Sequence, residues 1–223
     1  MITDEDFIDF KCPSCGEAAS FPQGEVGFVQ PCPACNQDLI VPAAGSEVGR
    51  HLPLPVTTPR LLLRRFQPGD WKDLLEIMPE AGEDHVLKWL EQDSHVRLTS
   101  PDQPFHLGIE LKEVCKLIGY LTLRFRDADR RQATFEINLN ESYQRKGFGR
   151  EAVDGLLEFC FDGIKLHRLC AFFEADNAGA VRLCESAGLR REGEFLKEKW
   201  QLDRWVNTVW YAALHEEYVP GEE

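Results

Sequence analysis

The sequence predicts an α/β (α+β) domain preceded by a small metal-held segment, and three observations predict it. Phe135, Ile137 and Leu139 alternate with polar residues over 134–140, the period of a half-buried strand. Val153, Leu156, Leu157, Cys160 and Phe161 then recur at helical i, i+3, i+4 spacing over 150–161. Near the N-terminus, Cys12, Cys15, Cys32 and Cys35 form two C-x-x-C pairs.

The 223 residues suffice for one sizeable core and a small appendage. At 43% hydrophobic and 28% charged, the composition is that of an ordinary globular protein. No run approaches the roughly 18 apolar residues of a membrane span, and the acidic start Thr3-Asp4-Glu5-Asp6 is unlike a secretory signal. A net charge of −13 argues against nonspecific nucleic-acid binding and suits a cationic substrate. With no export signal, the paired cysteines read as metal ligands and Cys115, Cys160, Cys170 and Cys184 as reduced thiols. A cytoplasmic location is the expectation.

The first element is residues 1–45. Cys12-Pro13-Ser14-Cys15 and Cys32-Pro33-Ala34-Cys35 can each aim two thiolates at one ion, and together they close a tetrahedral site for structural zinc. Gly16 and Asn36 follow the second cysteine of each pair, where a turn residue is useful. The segment resembles a zinc ribbon. So short a segment buries little core, and metal binding, worth roughly 10–16 kcal/mol in small zinc modules, would hold it folded. Two disulfides or redox-active pairs are the alternative. Asp4, Glu5, Asp6, Asp9, Glu17, Glu25 and Asp38 face only Lys11, so the basic patch of a nucleic-acid binder is missing. Protein binding or self-association is expected of the ribbon instead. Residues 46–57, with Gly49, Pro53 and Pro55, read as a linker.

The larger part, 58–223, opens with a strand at 60–66. A helix follows, with Asp70 as N-cap before Trp71, Leu74, Leu75 and Met78. A second short helix is expected over 84–90, then a strand pair at 106–111 and 116–125. After the polar loop 127–132 come the strand at 134–140 and the long helix. A strand at 168–173 leads to a helix at 177–187, ended by Gly188. A final strand pair surrounds Trp200 and residues 209–214. Mixed strands with helices on both faces give the fold class.

Between strand and long helix lies Gln144-Arg145-Lys146-Gly147-Phe148-Gly149. A glycine-bearing turn that opens a helix presents unpaired N–H groups and the positive end of the helix dipole, a site for a phosphate. Gly147 and Gly149 permit close backbone approach, while Arg145, Lys146 and Arg150 add positive charge. Residues 147–152 also satisfy G-x-G-x-x-A, the dinucleotide fingerprint, with Glu174 as a possible ribose ligand. That fingerprint follows its strand at once, whereas here a polar run, 140–146, intervenes. About seventy residues then remain, too few for most of a doubly wound sheet.

Read in order, these residues resemble the GNAT superfamily of acetyl-CoA-dependent N-acetyltransferases, and within it the Rim-type branch. The resemblance rests on Thr58-Pro59-Arg60-Leu61-Leu62-Leu63-Arg64, Ile118-Gly119-Tyr120-Leu121, the Q/R-x-x-G-x-G/A turn at 144–149, Asn177, Cys184-Glu185-Ser186-Ala187-Gly188-Leu189 and Asp203-Arg204-Trp205. It covers about 58–215 and leaves the ribbon outside. It implies a mixed, mostly antiparallel sheet flanked by helices, with acetyl-CoA as co-substrate. Gln144, Arg145, Lys146, Gly147, Phe148, Gly149 and Arg150 would grip the pyrophosphate. Backbone groups of Ile137 and Leu139 would bond the pantetheine arm in a slot where their strand splays from the next, and Asn177 would contact the cofactor.

Acetyl transfer to an amine needs a base for the ammonium and stabilisation of the leaving thiolate. Glu136 alternates with Phe135 and Ile137, so it faces away from them, and the resemblance places it beside the amine as base, acting through water. A solvated surface glutamate is the plain alternative. Cys184 falls where many relatives carry a tyrosine that protonates the thiolate; a small buried hydrophobe is the alternative. Trp205 and Asn207 sit where related enzymes carry residues near the acceptor pocket, Asn207 in place of a common aspartate. His85, His95, His106, His167 and His215 show no metal or triad spacing. The expected activity is acetyl transfer to a primary amine, foremost a protein N-terminal α-amine of the ribosomal-protein type. A small amine or polyamine acceptor, or a non-catalytic acyl-CoA-binding or protein-interaction module, are the alternatives.

Overall fold

The computed structural model describes residues 7–98, 103–126, 131–201 and 203–219. Its N-terminal ribbon is two short hairpins, each built around one cysteine pair. β1 (Phe7–Lys11) pairs antiparallel with β2 (Ala18–Pro22), and β3 (Val29–Pro31) with β4 (Asp38–Ile40). Ile8, Phe10, Ala19, Leu39 and Val41 form its small apolar centre beside Cys12 and Cys32. The expected linker is only partly free of this unit. Lys11 and Ile40 donate to the carbonyls of Glu47 and Arg50, so residues 47–50 are bonded to the ribbon. At the other end, β5 (Val56–Thr57) pairs with β6 (Leu61–Arg64) and belongs to the large sheet.

That sheet has eight strands. After β6 come β7 (Phe105–Leu111), β8 (Lys116–Phe125), β9 (Gln132–Leu139), β10 (Arg168–Glu174), β11 (Arg190–Gln201) and β12 (Arg204–Leu214). The spatial order is β11-β12-β10-β9-β8-β7-β6-β5, and only the β9–β10 pair is parallel. A parallel neighbour requires a crossover, which is the long helix α3 (Phe148–Glu158), extended by a π-helical turn, Phe159–Gly163. Ala152, Val153, Leu156 and Leu157 of α3 join Leu61, Leu121, Phe135 and Leu169 in the main core. On the other face, α1 (Trp71–Ile77) and α2 (Glu83–Ser94) bury Leu74, Val86 and Leu90 beside Leu117, with Trp89 and Tyr120 packed against them. α4 (Ala178–Ser186) precedes β11, and Gly188 ends it at φ 78.

Asp70 occupies the expected N-cap position of α1 but makes no side-chain cap bond to that helix. It closes the 3-10 turn before that helix, accepting from the Gln67 amide at 2.7 Å, and pairs with Arg64 at 2.8 Å. The helix expected over 84–90 runs on to Ser94, since Leu90 and Asp93 continue its buried stripe. Among the described residues, no helix is long and apolar enough to cross a membrane.

Candidate active site

The site begins where β9 and β10 part. Their register holds for Arg168 with Gln132, Leu169 with Ala133 and Cys170 with Thr134, and then stops, although β9 runs on to Leu139 and β10 to Glu174. Asn140 donates to Ile118, so alternate residues of β9 (Asn138, Glu136) bond to β8. The main-chain groups of Ile137 and Leu139 therefore turn to the opened side. Leu139 C=O already accepts from Gln144 Nε2 at 2.9 Å, which folds the turn back over the end of β9. Gly119 makes room for this corner, because a Cβ there would stand 2.3 Å from Asn138 O.

At the mouth of the gap lies the N-terminus of α3. Arg145 and Gly147 both take positive φ, 58° and 83°, so successive amides turn toward a common side, the geometry of an anion nest. Gly147 is the N-cap and has no side chain to occupy that space. Glu151, one turn in, accepts from Thr58 Oγ1 at 2.6 Å, from the Arg60 amide at 2.7 Å and from Arg60 Nε at 2.6 Å. Arg60 also reaches Lys146 O at 3.2 Å and stacks 4.4 Å over Phe148. Burial alone would raise the Glu151 carboxyl, but the bonds from Thr58 and Arg60 outweigh it and hold it below the usual carboxylate range. Thr58 and Arg60 matter here although no chemistry marked them in the chain; their signal was only the run that precedes the first strand. Arg150 is paired with Asp154 at 2.8 Å, and Lys146 Nζ lies 5.5 Å from the Tyr143 ring. Asn177 caps α4 by accepting from the Ala180 amide at 3.0 Å. The turn, the nest and these cations fit a pyrophosphate, and the gap fits the arm of a coenzyme A.

Glu136 stands on the opposite face, where its carboxylate is half-exposed and 3.8 Å from Arg124. Register puts His106, Thr122 and Glu136 in one row across β7, β8 and β9, with Tyr120 and Asn138 in the next. Burial, helped by the carboxylates of Glu136 and Glu80, pushes the Tyr120 hydroxyl above its usual range. An amine entering from the α1–α2 side would thus meet Glu136 and Tyr120 together. Strand pairing brings Tyr120 to this face beside Glu136; a single strand sequence does not show it.

Cys184 lies in the main core at 2% exposure, and burial, with Glu185 adding to it, pushes its thiol up to about 12. Such a thiol keeps its proton when the leaving thiolate, near pKa 8.5, would need it. The donor role expected of Cys184 finds no support in its surroundings. Asn207 props the β11 bulge, accepting from the Lys197 amide at 2.9 Å and donating to Glu194 at 2.7 Å. Trp205 packs edge-to-face on Trp200 across the β11–β12 hairpin, 5.4 Å between centroids.

The four ribbon cysteines converge as their spacing suggested. Their sulfurs all lie within 4.8 Å of one another, with Cys12–Cys35 and Cys15–Cys32 at 3.8 Å and no disulfide between them. Four sulfurs each about 2.3 Å from a central zinc would be about 3.8 Å apart, so the set fits that ion. Each knuckle closes with a main-chain bond, Gly16 to Cys12 and Asn36 to Cys32, at positive φ of 78° and 61°.

The family model described as acetyltransferase (GNAT) domain matches residues 60–190. An uncharacterized N-acetyltransferase of Bacillus subtilis, YnaD, is 30% identical over 173 residues, 73% of this chain and 98% of the relative. The spermidine N(1)-acetyltransferase of Vibrio cholerae is 28% identical over 107 residues, 48% of this chain and 62% of the relative. Among solved structures, the ribosomal-protein-S5-alanine acetyltransferase of Vibrio fischeri superposes with a TM-score of 0.62 at 17% identity, covering 74% of this chain and 98% of that one.

Proposed function

We propose, for a chain that belongs to the GNAT acetyltransferase family and is an N-acetyltransferase, that the acetyl group passes from acetyl-CoA to a primary amine, foremost a protein N-terminal α-amine. The observation that carries this is the parting of β9 and β10 beside the anion nest at Gly147, with Glu136 on the far side of the same opening. Bound acetyl-CoA supplies the activated thioester. The α3 amides, with Arg145, Lys146 and Arg150, hold its pyrophosphate, and Gln144 and Phe148 shape that turn. Ile137 and Leu139 orient the arm through their main chain, and the Asn177 side-chain NH2 adds a donor.

Glu136 accepts the proton of the incoming ammonium through water, and the freed amine attacks the thioester carbonyl. The C–N bond forms, the C–S bond breaks, the nitrogen gives up its second proton to solvent, and the thiolate leaves to take a proton from solvent. Cys12, Cys15, Cys32 and Cys35 hold one structural zinc. A polyamine acceptor is the second reading, favoured by two carboxylates, Glu136 and Glu80, that both act on the Tyr120 hydroxyl. Thiol release from acetyl-CoA, measured with peptides bearing free or blocked α-amines and with spermidine, tests both. Turnover with free but not blocked peptides, exceeding that with spermidine, is expected; the reverse order would replace the first reading by the second.

A further inference from the structure

We propose that the metal in the four-cysteine ribbon governs acceptor binding by bracing residues 95–98, which follow α2; this rests on the zinc and acetyltransferase readings above. The ribbon is seated on the larger domain by its second knuckle. Asn36, which follows the ligand Cys35, sets its side-chain amide against Arg97; in the amide orientation that satisfies both groups, its oxygen accepts from that guanidinium at 2.8 and 3.0 Å. Asp38, the first residue of β4, accepts from the Leu98 amide at 2.5 Å. Val29 and Ile40 of the ribbon enter the main core, which also contains Leu98 at 2% exposure, and Arg131 stacks 4.7 Å over Phe28. One face of the ribbon is thus taken by its own chain.

On the other side of this contact the segment is tied to the acceptor face. Arg65 donates to the carbonyls of Asp93 and Val96, at 2.5 and 3.0 Å, and to that of His106 at 2.9 Å, joining the end of α2 to the start of β7. The Asp93 carboxylate meets Arg65 at 3.0 Å and His106 Nδ1 at 2.7 Å. His106 shares its row with Thr122 and Glu136, and Trp89 of α2 packs on both His106 and Tyr120, 5.0 and 5.4 Å between centroids. Knuckle, segment, helix and acceptor face form one contiguous packed body.

A ribbon of this size stays folded through its metal. Losing the metal removes the acceptors that Asn36 and Asp38 present, leaves the Leu98 amide without its bond and uncovers the Leu98 side chain. Local opening of 95–98 then costs less free energy, and α2 sits less firmly over His106 and Tyr120. The anion nest is spared. It lies at the N-terminal end of α3, while the ribbon reaches the chain beyond the C-terminal end, where a Cβ on Gly27 would touch Lys165. Metal occupancy therefore sets acceptor affinity and leaves acetyl-CoA affinity alone.

The test uses the full, zinc-loaded chain carrying Asn36→Gly, which keeps the positive φ of the knuckle, with Asp38→Ala, and separately Arg97→Gln, which alters the same contact from the other side. Both keep all four cysteines. Expected are an unchanged zinc content and acetyl-CoA affinity, faster hydrogen exchange at 94–98 and 105–107, and an acceptor KM raised roughly tenfold, the loss of one or two such hydrogen bonds. Chelation of the wild-type zinc under reducing conditions should give the same exchange pattern. Unchanged exchange at 94–98 in all three samples would overturn the proposal, as would loosening that spreads equally to α3 and α4. An enzyme inactive with every amine would sink the acetyltransfer reading, while the exchange data would still decide this one.

Discussion

The Glu151 carboxylate holds Arg60 by two hydrogen bonds, one from its amide at 2.7 Å and one from its side chain at 2.6 Å. A residue between β5 and β6 is thereby fastened to the first turn of α3, across 91 positions of sequence, and Arg60 in turn lies over Phe148 and donates to the Lys146 carbonyl. This clamp ties the turn at Gly147 to the segment before β6.

Glu151→Gln keeps the shape and removes the charge. At neutral pH the variant should lose about 1–3 kcal/mol, the range for hydrogen bonds to a charged group, and bind acetyl-CoA more weakly. The folded Glu151 carboxyl lies below its unfolded value, so its contribution is complete above about pH 4.5 and fades as pH falls through the folded value. Thermal melts of both proteins from pH 7 to pH 3 should therefore converge on the acid side.

Glu136→Gln tests the base. Its side chain is half-exposed, so the substitution should leave the melting temperature nearly unchanged. The turnover number with a peptide acceptor should fall by roughly 10²-fold or more. Calorimetric affinity for acetyl-CoA should stay at the wild-type value.

Cys184→Ala separates packing from chemistry. A core thiol pushed up to about 12 contributes volume, so removing it should cost about 1–2 kcal/mol of stability. Turnover should remain within about threefold of wild type. A hundredfold loss in a folded variant would restore the donor role to this residue.

Metal analysis of the reduced, purified chain should give about one zinc per molecule. Cys32→Ser should release it and lower the melting temperature of the whole chain, because Val29 and Ile40 share the main core.

Local pattern made much of this legible. The strand at 116–125 coincides with β8, and Phe135, Ile137 and Leu139 lie on the apolar side of β9 because a two-residue period requires it. The cysteine pairs and the glycine turn are equally local, since both are fixed by spacing and backbone freedom. What stayed hidden depends on the partner. The parting of β9 from β10 is a matter of register; neither strand's own sequence contains it, and only the family resemblance led to its expectation. Residues 47–50 look like linker by composition but pair with Lys11 and Ile40. Val29 and Ile40 look like the ribbon's own core until the large sheet is present to receive them. Cys184 sits where a donor would be useful, yet the packing of α4 buries it.

The most direct measurement is calorimetric titration of acetyl-CoA into the wild-type chain and into Gly147→Asp. An aspartate there must take a φ of 83° and sets a carboxylate in the anion nest. The expected result is saturable binding to the wild type and at least a roughly hundredfold loss in a variant that is still folded, on the order of 3 kcal/mol. Equal affinity in the two proteins, or no binding to the wild type, would contradict the placement of coenzyme A at this helix.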